Sequence, residues 1–180
     1  MFYTNLDDLI FYQCLKFIRK YSNFELKLFH YFYNKTKIYP KNIIIINHII
    51  FFFVNNEDYF EAKSYLHALR LNLCKKVALI RSENVLINLI HSFFPDIYIH
   101  DIRVEYNIYS HKREITVNLL TFEERGIAVG KNGDYIKAIN ELIEKYIEFQ
   151  KFGKPLKITC KVTRLFTTER PLNQLDTLLY

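Results

Sequence analysis

Gly126-Ile127-Ala128-Val129-Gly130-Lys131-Asn132-Gly133-Asp134-Tyr135-Ile136-Lys137-Ala138-Ile139 is the stretch on which the reading of this chain turns. The chain has only 4 glycines in 180 residues, and three of them are Gly126, Gly130 and Gly133. Glycine is kept where φ must be positive or where a second backbone comes close. Residues 122–129 before the loop and 134–149 after it have helical spacing, the latter with Ile136, Ile139, Ile143 and Ile147 on one face. A helix that starts directly after a glycine loop offers unpaired N–H groups and the positive end of its dipole. Gly130-Lys131-Asn132-Gly133 therefore reads as a seat for phosphate, with Lys131 adding a mobile positive charge. A lone GxxG also fits a plain helix–helix turn with a C-capping glycine. The frame around it decides between the two.

Outward from the loop, Ser82 reads as the N-cap of a helix carrying Val85, Leu86, Leu89, Ile90, Phe93 and Phe94, which Pro95 ends. Ile102, Val104, Tyr106 and Ile108 alternate with Arg103, Glu105 and Asn107 as a half-buried strand. Residues 110–113 turn, and Ile115, Val117 and Leu119 return as the second strand of a hairpin. Beyond the loop and its two helices, Gly153 and Pro155 break the pattern. Leu156, Ile158, Cys160 and Val162 then alternate as a last strand. The order over 82–163 is α-β-β-α-α-β, which predicts an α+β domain with a three-stranded sheet. A GxxG loop between two helices, beside such a sheet, is what the KH module uses to clamp about four nucleotides. The expected RNA-binding set is Gly130, Lys131, Asn132 and Gly133 for the backbone phosphates, Ile127, Ala128, Val129, Ile136 and Ile139 for an apolar groove that takes unstacked bases, and Lys137. Thr116 and Asn118 are expected at the edge of that groove, and Ala128 where bulk would block a base.

Upstream, Leu6, Leu9, Ile10, Cys14, Phe17 and Ile18 recur at helical intervals, and residues 24–33 read as a second helix. This makes 1–35 a helical N-terminal segment. Residues 36–81 read as a small β-rich unit: one long or two short strands over 43–54, with alternation again over 65–73 and 77–80. No internal repeat or low-complexity linker is visible, and 164–180 form a tail without a clear pattern.

The formal net charge of +6 and sequence pI near 9.1 favour a polyanionic partner, although Lys-rich coding also yields basic proteins. Abundant Ile, Asn, Lys, Phe and Tyr match A/T-rich codons, as in a reduced endosymbiont or organellar genome. Cys14, Cys74 and Cys160 show no CxxC spacing, and the six histidines no helical ligand pair, so neither a disulfide framework nor a metal site is expected. There is no Ser/His/Asp or Cys/His signature and no GxxxxGK[ST] loop, so no enzyme activity and no cofactor are expected. Glu123 and Glu124 read as ordinary acidic residues of a first helical turn. His111-Lys112-Arg113 and the set Lys151, Lys154, Lys157, Lys161 and Arg164 read as solvated basic faces with some claim on phosphate. The apolar run 43–54 is shorter than the roughly 18–20 residues of a membrane helix. Asp7 and Asp8 stand where a secretory signal would be basic. A soluble protein without membrane contact is expected, in the cytoplasm or in an organelle matrix or stroma, a plastid before a mitochondrion.

Residues 81–162 resemble a type II KH domain, and within that group the first KH domain of NusA-like transcription elongation and antitermination factors. The resemblance rests on Arg81-Ser82, on Phe94-Pro95-Asp96-Ile97-Tyr98 at the helix end, on the glycine loop, and on Ile139-Asn140-Glu141-Leu142. It implies a single-stranded RNA ligand, RNA polymerase as the large partner, and an origin of 36–81 as a shrunken OB-fold barrel. Phe122-Glu123-Glu124-Arg125-Gly126 departs from the Asp-Pro-Val-Gly segment usual in bacterial members and is closer to short archaeal ones. A second KH domain is not expected, because the chain stops soon after Val162. Similar modules occur in a small-subunit ribosomal protein, which leaves a structural role on the ribosomal subunit as the alternative.

Overall fold

The computed structural model describes residues 6–18, 21–109, 111–149 and 157–163, with only the backbone of 6–8. Lys151, Gly153, Lys154, Pro155, Leu156, Arg164 and the expected tail lie outside the described residues. The fold is mixed α+β. Its elements are α1 (Leu6–Phe11), β1 (Leu15–Phe17), α2 (Asn23–Thr36), β2 (Asn42–Ile46), β3 (Ile49–Val54), α3 (Tyr59–Ser64), α4 (Leu66–Leu73) and β4 (Lys76–Arg81). There follow α5 (Leu86–Phe93), β5 (Ile99–Asn107), β6 (Lys112–Leu119), α6 (Phe122–Val129), a 3-10 turn (Lys131–Gly133), α7 (Asp134–Tyr146), β7 (Ile147–Phe149) and β8 (Lys157–Val162).

Two units share one plan. In the first, α2 precedes the antiparallel hairpin β2–β3, two helices follow, and β4 returns parallel to β3, giving sheet order β2-β3-β4. In the second, α5 precedes the hairpin β5–β6, two helices follow, and β8 returns parallel to β6, giving order β5-β6-β8. The parallel pairs match in length, and each begins at the first residue of the returning strand: Lys76 faces Ile49 in one, and Lys157 faces Glu114 in the other. In each unit the second helix fixes the second residue of the returning strand. Arg70 Nε donates to the Val77 carbonyl at 3.1 Å. Asn140 donates to the Ile158 carbonyl at 2.9 Å and accepts from the Ile158 N–H at 2.7 Å, as a neighbouring strand would. The chain thus contains a structural repeat that its residues do not announce.

Residues 36–81 therefore do not close into a barrel. Their sheet has three strands, one of them parallel, and helices α3 and α4 cross between β3 and β4. The expected strand over 65–73 is helix α4. Leu69, Leu71 and Leu73, separated by Arg70 and Asn72, imitate a period of two, but Leu71 is 65% exposed while Leu69 is buried with Leu66 and Leu73 packed alongside. The spacing 66, 69, 73 is the one that packs, and it is helical.

The unbroken apolar run of β3 has a physical cause. Ile50, Phe52 and Val54 face a core with Leu28 and Phe32 of α2, Tyr59 and Ala62 of α3, and Leu69 of α4. Ile49, Phe51 and Phe53 face a second core shared with Leu89, Ile90 and Phe93 of α5, Val117 of β6, and Ile139, Leu142 and Ile143 of α7. A strand covered on both faces cannot alternate. Each of these Phe and Ile side chains contributes roughly 1.5–3 kcal/mol of burial, so the two units are held together by core, not by a linker.

Three boundaries differ from expectation. Helix α1 stops at Phe11, and Leu15–Phe17 instead pairs with Ile147–Phe149. The same pairing ends α7 at Tyr146, although Ile147 continues its apolar stripe, because a waiting partner strand outcompetes another helical turn. Ser82 does not cap α5; its N–H donates to the Val54 carbonyl at 2.7 Å, extending the sheet, and the helix starts at Leu86 after Val85 without a side-chain cap. Among the described residues no helix is long and apolar enough to cross a membrane.

Candidate functional site

Helix α6 opens with a reciprocal cap. Thr121 Oγ1 accepts from the Glu124 N–H at 3.1 Å, and the Glu124 carboxylate accepts from the Thr121 N–H at 3.1 Å. Glu124 is thus a structural cap. The helix ends at Gly130, whose φ of +75° few L side chains adopt. A Cβ there would lie 2.8 Å from Cβ of Tyr135, so this position admits only glycine. Asn132 (φ +55°) and Gly133 (φ +76°) are also left-handed, and Gly133 opens α7 with no side-chain cap. Three of the four loop residues therefore have positive φ, and the loop delivers the uncapped N-terminus of a 13-residue helix.

The loop is anchored from behind. The Tyr135 hydroxyl donates to the Phe93 carbonyl at 2.7 Å, and its ring packs near Phe51 and Phe94. Burial holds its phenol well above the usual tyrosine range, so it stays neutral as that donor. Lys137 Nζ donates to the Asn132 carbonyl at 3.0 Å and stiffens the loop from the next helical turn. Lys131 is exposed and, among the described residues, has no ion-pair partner.

The expected groove residues divide. Ile127 is 60% exposed, and Val129 and Ile136 are half-buried. Ala128 and Ile139 are wholly inside the shared core, so the small side chain of Ala128 serves packing and not access by a base. Thr116 and Asn118 fail the groove role by the period of two: Ile115 and Val117 face α6 and α7, so Thr116 and Asn118 face the other side of the sheet. There Thr116 Oγ1 donates to Glu105 at 3.1 Å.

Sequence reasoning missed a cleft of about 690 Å³ lined by both units, with Ile127, Gly130 and Tyr135 from the second. Tyr59, Lys63, Arg70 and Lys76 line it from the first unit. No motif signals it, because it joins residues far apart in the chain. In the first unit α3 and α4 meet through Tyr65 alone, and every glycine of the chain lies at 126 or beyond. That unit has no counterpart of the loop.

The remaining candidates have lesser roles. Lys161 pairs with Glu105 at 2.5 Å, which holds the Glu105 carboxyl below the usual range, so that lysine is partly committed. Lys157 is exposed on the edge strand, and His111 to Arg113 lie at the exposed end of the β5–β6 hairpin. Burial pushes the Cys160 thiol up to about 11, which makes it an inert core residue. Among the described residues no group of three His, Cys, Asp or Glu converges as a metal site.

No protein-family profile matches the sequence, and no curated protein matches it. The fold is similar to a solved structure described as "Crystal structure of APE1850", with a TM-score of 0.54 and 19% identity. The match covers 79% of this chain and 100% of that one. That share exceeds what either unit fills alone, so the likeness takes in both units and speaks for the fold.

Proposed function

We propose that this protein binds single-stranded RNA through the second unit, used as a type II KH domain whose phosphate clamp is Gly130-Lys131-Asn132-Gly133. The observation that carries this reading is the loop conformation: positive φ at Gly130, Asn132 and Gly133 turns the chain directly into an uncapped helix N-terminus. Lys131 supplies a cation to the phosphate, while Ile127, Val129 and Ile136 offer apolar surface to the bases. The helix order α6–loop–α7 beside a sheet edge fits the clamp of about four nucleotides known for such modules. The first unit then is a second copy of the same module that has lost its clamp. The resemblance of 81–162 to NusA-like factors extends the proposal to nascent RNA at RNA polymerase.

Titration of a labelled short single-stranded RNA against the Lys131→Asp, Asn132→Asp double variant tests the clamp. Negative charge facing phosphate should weaken binding by about tenfold or more at low salt, with the difference shrinking as salt rises. Unchanged affinity in the folded variant contradicts the clamp. For the partner, the tagged protein should co-purify with RNA polymerase; sedimentation with ribosomal subunits instead overturns that part.

A further inference from the structure

Asp134 is the first residue of α7, immediately after Gly133, and so carries a negative charge beside the place proposed for phosphate. A carboxylate there suits the helix dipole but opposes an incoming anion. Its oxygen Oδ2 lies 3.8 Å from Lys76 Nζ and 3.7 Å from His48 Nε2. Neither group belongs to the second unit. Lys76 is the first residue of β4, and His48 sits in the β2–β3 turn. Both line the cleft that Gly130 also lines. Within the second unit the nearby cations point elsewhere: Lys137 is engaged with the Asn132 carbonyl, and Lys131 extends into solvent.

We propose that Lys76 is a positioning residue of the phosphate clamp: it neutralises and holds Asp134 so that the α7 N-terminus can accept an anion. The first unit, which has no loop of its own, thereby completes the electrostatics of its neighbour's loop. This inference rests on the phosphate-clamp reading above. It explains why the acidic residue is tolerated at the loop, and why a unit without a clamp shares a core with the unit that has one.

A double-mutant cycle on the full chain, read by titration with a labelled short RNA of randomised sequence at low salt, tests it. Lys76→Ala should weaken binding about three- to tenfold, the scale of one uncompensated charge near a solvated phosphate. Asp134→Asn should bind as well as the parent or more tightly. Lys76→Ala introduced into Asp134→Asn should cause no further loss, and Lys76→Arg should bind like the parent. An equal loss from Lys76→Ala in both backgrounds would mean direct contact with RNA and overturn the proposal, as would no loss in either. Lys76 is half exposed, so its variants keep the fold, checked by circular dichroism. The Lys131→Asp, Asn132→Asp variant separates the two levels. If that variant loses binding while the Lys76 and Asp134 effects are independent, the clamp stands and this inference falls. If it binds like the parent, the clamp itself falls.

Discussion

The two units of this chain share one element order and one sheet order, and they differ at the helix–helix junction. Both run helix, hairpin, two helices, returning strand, and both set a polar side chain from the last helix on the second residue of that strand. The first unit passes from α3 to α4 through Tyr65, in ordinary right-handed conformation, and its last helix has 8 residues. The second inserts Gly130 to Gly133 and continues into a helix of 13. Topology is therefore indifferent to the loop, and the loop is free to carry function. The first unit shows what the fold needs; the second carries the loop besides.

The largest effect should come from making the second junction resemble the first. Gly130→Ala forces an L residue to φ +75° and sets a Cβ 2.8 Å from Tyr135. It should cost about 2–4 kcal/mol in urea unfolding and abolish RNA binding. A variant as stable as the parent would mean that the loop shape is not specified by this glycine.

The shared strand anchor comes next. Asn140→Ala removes two hydrogen bonds to the Ile158 backbone and should destabilise by about 1–3 kcal/mol, measured by the same unfolding. Arg70→Ala removes a single bond from a half-exposed position and should cost less. If the first unit proved the more sensitive, the equivalence of the two anchors would fail.

The smallest effect should be at Gly126. It sits inside α6, and an added Cβ would meet nothing within 4 Å. Gly126→Ala should be neutral or stabilise the protein by about 0.4–1 kcal/mol. Its effect on RNA binding, read by titration, then reports whether the strand approaches α6 closely.

How much was legible follows from burial. The second unit's central strand carries polar residues, Glu114, Thr116 and Asn118, on the face turned away from α6 and α7, so Ile115, Val117 and Leu119 alternate with them, and its order and loop stand out in the sequence. The first unit's central strand is covered on both sides, which erases the alternation and with it the repeat. Leu71, apolar yet exposed, completed the disguise of α4 as a strand. At the site, the glycines and Lys131 could be found because they follow one another in the chain. Lys76, His48 and the cleft could not, because only the packing of β4 and the β2–β3 turn against α7 brings them to the loop. Thr116 and Asn118 were misplaced for a simpler reason: one residue along a strand changes the face.

The most direct measurement compares the two junctions in one titration with single-stranded RNA. The Lys131→Asp, Asn132→Asp variant should lose affinity about tenfold or more, whereas Ser64→Asp, at the exposed junction of α3 and α4, should bind within about twofold of the parent. Equal losses from both changes, or no loss from the loop variant, would contradict the claim that the second unit alone holds the phosphate.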